Sequence, residues 1–150
     1  MPANRLILRL VRGVEDAAAT VGFLHYEPRP DLFEGEPPPA VAVIEKPWCG
    51  NAANISRLAP KAKYRLVRDD DGNIAIVNVN LTSVRGREEE RLLLVPARSL
   101  ADVPDGSIGV VAQHTTHGKG FAPNTAFEPL RDNIFAALDR KEVVILVIRA

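Results

Sequence analysis

The sequence predicts a mostly β, or α+β, fold: an antiparallel meander, β-sandwich or barrel-like single domain over residues 1–150, with one C-terminal helix packed on the sheet and a Pro-rich extended arm. Three observations carry this expectation. Residues 63–95 read as a three-stranded meander folded about an Asp-Gly step. Strand-like runs outnumber helical ones by about seven to two, without the regular alternation that builds a parallel α/β sheet. The last aliphatic run, 143–148, is apolar on both faces, as a strand in the middle of a sheet or under a helix must be.

At the N-terminus Leu6, Leu8 and Leu10 share one face while Arg5, Ile7, Arg9 and Val11 share the other, the two-residue period of a strand with a mixed outer face. This predicts a first or edge strand that Gly13 breaks, followed by one helical turn over 15–19 and a second strand over 20–26. Residues 27–39 hold five of the twelve prolines, which rules out a helix or a central strand and predicts an extended arm with Leu32 and Phe33 as its apolar anchors. A short apolar strand over 40–44 stops before Pro47. Residues 51–59 read as a short helix, capped by Asn51 or Asn54 and ended before Pro60.

The central hairpin pairs 64–68 with 74–82 across Asp69, Asp70, Asp71, Gly72 and Asn73. Its second arm alternates, with Val77, Val79 and Leu81 on one face and Asn78, Asn80 and Thr82 on the other. A charged turn over 84–91 leads to a strand at 92–95, and Pro104-Asp105-Gly106 turns the chain into another at 108–112. Residues 114–124 are a glycine-punctuated loop. Pro129 suits the first position of a helix to about Leu138, with Leu130, Ile134 and Leu138 as its stripe.

Composition excludes several classes of function. Lys plus Arg and Asp plus Glu are equal at 19 each, so no net field gathers nucleic acid or anionic lipid. The single cysteine, Cys49 beside Trp48, excludes an internal disulfide framework and a multi-cysteine zinc site. No secretion signal or membrane span is visible, because arginines interrupt the N-terminal apolar run and 143–148 is too short. Cytoplasmic synthesis is the expectation, with no membrane partner, and the sequons at Asn54 and Asn80 then carry no meaning.

Two sequence motifs fail on inspection. An EF-hand register through Asp69-Asp70-Asp71-Gly72 puts Val67 at the first ligand position and Asn78 where a bidentate Glu belongs. A phosphate loop at Gly118-Lys119-Gly120 lacks its first glycine, where Gln113 stands, and its final Ser or Thr. The cluster with chemical capacity is His114, Thr115, Thr116, His117 and Lys119. Two imidazoles three residues apart can meet one metal if the backbone turns, but no third ligand is near in sequence, so no metal or cofactor is expected.

His114-Thr115-Thr116, Asn124, Asp132-Asn133-Ile134 and Leu138 resemble a stretch of the secondary thiamine-phosphate synthase-like family, in which a strand ending in His-Thr leads into an Asn-bearing loop and a helix. In that family the stretch lies early, with a sheet still to follow; here the chain ends soon after it. No site residue or activity is carried over from the resemblance.

The functional expectation is therefore a non-enzymatic structural or interaction subunit of a large assembly, for example a virion capsid-stabilising (cement or decoration) or head–tail protein. Its partners would be itself, as a trimer or higher, or other subunits, with Leu32, Phe33, His114 and His117 at interfaces. The alternative is a small cytoplasmic enzyme, metal-dependent or not, that uses His114, Thr115, His117 and Lys119.

Overall fold

Alternate apolar positions on successive strands meet inside a sheet that closes on itself. The computed structural model describes residues 5–15, 19–29, 31–33, 38–46, 62–82, 92–103, 107–114 and 119–149. Its strands are β1 (Arg5–Glu15), β2 (Thr20–Tyr26), β3 (Val41–Glu45), β4 (Lys63–Arg68), β5 (Ile74–Val77), β6 (Leu93–Pro96), β7 (Ile108–Val111), β8 (Gln113–His114), β9 (Gly120–Phe121) and β10 (Val143–Ile148). One α-helix, α1 (Pro123–Asp139), precedes the last strand. Eight strands close in the order β1-β10-β4-β5-β6-β7-β3-β2, and β8 and β9 form a separate two-stranded ribbon. The predicted β-rich fold with a C-terminal helix is thus what forms, in its barrel version.

The expected alternation places the core. Leu6, Leu8 and Leu10 of β1, Tyr64 and Leu66 of β4, Ile74 and Ile76 of β5, and Val144, Leu146 and Ile148 of β10 all belong to one buried cluster. An eight-stranded barrel is just wide enough for such side chains to fill it, so this interior is packed. Closure also removes strand edges, which corrects the expectation of an edge strand at the N-terminus. β1 pairs with β10 in parallel on one side and with β2 on the other, and it continues through Gly13 to Glu15 with a register shift after Arg12.

The meander of β4, β5 and β6 is antiparallel as expected. A second parallel joint, β6 with β7, was not. The described part of its crossover, residues 97–103, buries Ala97 and Val103 against the outward-facing Ala42, Ile44 and Val111. Gly109 makes that approach possible, since a Cβ there would sit 2.7 Å from a Val103 methyl and 2.8 Å from the Ala97 Cβ.

Two further expectations are corrected. The hairpin's second arm ends at Val77, and residues 78–82 turn back on themselves: the Asn78 N–H donates to the Thr82 carbonyl and the Leu81 N–H to the Asn78 carbonyl. The Thr82 N–H also donates to Asn80 Oδ1 and the Asn78 Nδ2 to the Thr82 hydroxyl, and these local bonds outcompete the strand ladder that period-two alternation suggests. The helix begins at Pro123, so Pro123 and not Pro129 takes the first turn, and Pro129 lies inside. Its buried stripe is Leu130, Ile134 and Ala137, with Leu138 half-buried. The expected helix over 51–59, Trp48 and Cys49, and the turns at 84–91 and 104–106 lie outside the described residues.

The helix touches β1, β4, β6, β7 and β10, strands from opposite walls of the barrel, and so lies across one mouth. It stops abruptly. Lys141 adopts a left-handed φ of 65°, the Glu142 N–H donates to the Ala137 carbonyl, and the chain reverses into β10.

Candidate functional site

The helix-covered mouth leaves a cleft of about 270 Å³ between the residues leading into β3, the end of β7 and the first half of α1. Its walls include Val41, Val111, Ala126 and Leu130, with Pro38 and Pro39 from the end of the proline-rich segment. Tyr26 and Asn133 meet at its edge, where the Asn133 amide Nδ2 donates to the Tyr26 hydroxyl at 3.0 Å. Burial raises the Tyr26 phenol above its ordinary range, and the Asn133 bond only partly opposes this, so the hydroxyl keeps its proton. Pro129 and Thr125 also line the cleft. Proline has no N–H, so Pro129 cannot donate to the carbonyl four residues back, which is that of Thr125.

A smaller hollow of about 120 Å³ lies on the other side of Asn133, bounded by Leu6, Leu32, Phe33 and Arg140. The expected interface anchors are therefore placed within the chain's own surface. Phe33 stands edge-on to Tyr26 at 5.6 Å and packs on the barrel core, and Leu32 is half-buried. The described residues 31–33 turn back on Arg29: the Leu32 and Phe33 N–H groups both donate to the Arg29 carbonyl. The Arg29 guanidinium holds this turn down, bonding the Arg5 carbonyl at 2.8 Å, Glu142 at 3.0 Å and Asp31 at 2.6 Å. Pro30 and residues 34–37 of the expected arm are outside the described residues.

The histidine loop is only partly described. His114 ends β8, and its Nε2 lies 2.9 Å from the Val43 carbonyl, so this nitrogen is the donor to that carbonyl. One face of the ring meets Phe23 edge-on at 5.3 Å. Lys119 is exposed and bridges to Ser99, with Gly120 opposite His114 across the ribbon. Thr115 and His117 lie outside the described residues. Among the described residues no group of three or more His, Cys, Asp or Glu is placed to hold a metal ion, and no helix is long and apolar enough to cross a membrane.

Two polar pairs escaped the sequence reading. Inward alternation on β1 carries Arg12 to the far end of the barrel, where it meets Glu45 at the end of β3. Tyr26 and Asn133 are 107 residues apart. The only advance signal for Arg12 was its place two residues after Leu10 on the apolar face. Outside the barrel, Val11 and Phe23 stand opposite each other on β1 and β2 and are 41% and 46% exposed.

Fold and cleft together define a small closed β-barrel protein with a helix across one mouth and an apolar, proline-walled cleft beside it. No protein-family model matches the chain, and no curated protein and no solved structure shows significant similarity to it.

Proposed function

We propose that this chain is a non-enzymatic interaction subunit that assembles with further copies of itself through the outer face of β1 and β2. The observation that carries the reading is the cross-strand pair Val11 and Phe23, both exposed, with the His114 ring set against Phe23. Single exposed apolar residues need no explanation, but a contiguous aliphatic and aromatic strip on the dry-filled barrel's outside is what an interface presents. Each of the two strands has a neighbour on both sides in the closed barrel, so association would use side chains more than strand addition. Equal numbers of acidic and basic residues favour it further, because copies with zero net charge do not repel at neutral pH. Large particles, including virions whose lattices small β-rich subunits stabilise, are the class of assembly to which the reading extends.

Light scattering on the parent and on a Val11→Asp, Phe23→Asp double variant tests it. A multiple of the 16.3 kDa chain mass, falling to that mass in a variant with an unchanged melt, is expected. A parent that is monomeric at every concentration overturns the reading.

One observation favours the enzyme alternative: the Val43 carbonyl fixes the His114 ring through Nε2, as a general base's ring is fixed by an orienting partner. Metal analysis of the parent and of His114→Ala decides whether this loop is pursued as a catalytic one. Stoichiometric zinc or iron, lost in the variant without a change in assembly, would move the assignment to an enzyme.

A further inference from the structure

We infer that the cleft beside α1 is a binding site for a small, uncharged molecule with an apolar body and a carboxamide end. The inference stands apart from the assembly reading and uses a different face of the molecule.

The first argument is charge. Every described residue that lines the cleft is uncharged, from Val41 and Val111 on the barrel to Thr125, Pro129 and Asn133 on the helix. A carboxylate or ammonium entering such a space loses its hydration and finds no counter-charge, so a neutral occupant is selected. The second argument is size. At about 270 Å³ the cleft falls just under the range of roughly 300–1,000 Å³ usual for sites that bury drug-sized ligands, so the occupant is smaller than those.

The third argument concerns the hydrogen-bonding groups at the wall. With Asn133 Nδ2 donating to the Tyr26 oxygen, the phenol proton and Asn133 Oδ1 have no partner among the described residues. Tyr26 is 7% exposed, and a buried donor without an acceptor is costly, which makes the site want an acceptor there. A donor and an acceptor side by side on two residues match an amide, whose C=O would accept from Tyr26 and whose N–H would donate to Asn133. Thr125, whose carbonyl receives no helical N–H from Pro129, lines the same wall.

The test is titration of benzamide, benzoate and toluene into the full chain, followed by amide chemical shifts. Benzamide is expected to bind saturably, with shifts centred on Val111 and Ala126, and at least about tenfold more tightly than either toluene or benzoate, the factor that about 1.4 kcal/mol of hydrogen bonding or desolvation corresponds to. Tyr26→Phe should abolish the preference of benzamide over toluene while leaving toluene binding unchanged. The comparison of probes on the unaltered chain stands even if that variant melts early. Equal binding of toluene and benzamide, tighter binding of benzoate, or no saturable shift with any probe overturns the inference.

Discussion

Arg12 and Glu45 form a two-pronged ion pair, Nε to Oε2 at 2.9 Å and Nη2 to Oε1 at 2.7 Å, between side chains that are 5% and 1% exposed. The geometry is the fork-to-fork arrangement in which arginine binds a carboxylate best. The remaining guanidinium nitrogen, Nη1, is buried without a partner, so the pair is incompletely compensated.

Removing one partner should therefore cost much more than removing both. Arg12→Leu leaves the Glu45 carboxylate buried and unpaired, and a loss of about 3–5 kcal/mol in urea unfolding is expected. The double change Arg12→Leu, Glu45→Leu should restore most of it, or exceed the parent, because no buried charge is left. Additive losses in the double variant would show that the two side chains act independently and would refute the argument.

The Arg29 turn should loosen in acid. Arg140 and Arg29 together hold the Glu142 carboxyl below its ordinary range, and Arg29 does the same for Asp31. A carboxyl depressed in the folded state stabilises fully above its ordinary pKa, about 4.5 for Glu142, and the contribution disappears as pH falls through the lower folded value. Protection of the Leu32 and Phe33 amides against hydrogen exchange, relative to their intrinsic rates, should fall below about pH 4.5 ahead of that in the barrel strands. Glu142→Gln should remove most of that pH dependence. Exchange at these two amides that tracks the barrel strands at all pH values would refute the clamp.

Cavity-forming changes on β10 should differ by face. Leu146 points into the barrel and is 1% exposed, whereas Ile145 lies on the outer face at 8%. Leu146→Ala is expected to cost about 2–5 kcal/mol and Ile145→Ala less. Denaturant unfolding of the two variants in parallel gives the order; a larger loss at Ile145 would mean that the outer face of β10 carries more of the packing.

Lys141 is the position where a stabilising change is most readily made. It is exposed and holds φ at 65°, a conformation that glycine adopts freely and other residues do not. Lys141→Gly should raise stability by about 1 kcal/mol, and Lys141→Val should lower it. A thermal melt in which glycine is the worse of the two would contradict the helix-stop geometry.

The sequence alone determined most of the barrel strands and which of their faces are apolar. Leu6, Leu8 and Leu10, or Ile74 and Ile76, can be dry together only if alternate positions turn inward, a local rule written in neighbouring residues. The Asp69 to Asn73 turn is legible for the same reason: the Asp69 carboxylate accepts from the N–H groups of Asp71 and Asn73, a bond that reaches no further than four residues. Tertiary structure decided everything that depends on partners distant in the chain. Whether the sheet stays open or closes rests on β1 meeting β10 in parallel, 138 residues apart at Arg5 and Val143, and strand periodicity says nothing of partner or direction. The cleft is of that kind too. Tyr26 read as one strand residue among several and Asn133 as one polar helix position, and only the fold sets them 3.0 Å apart at the wall of one cleft.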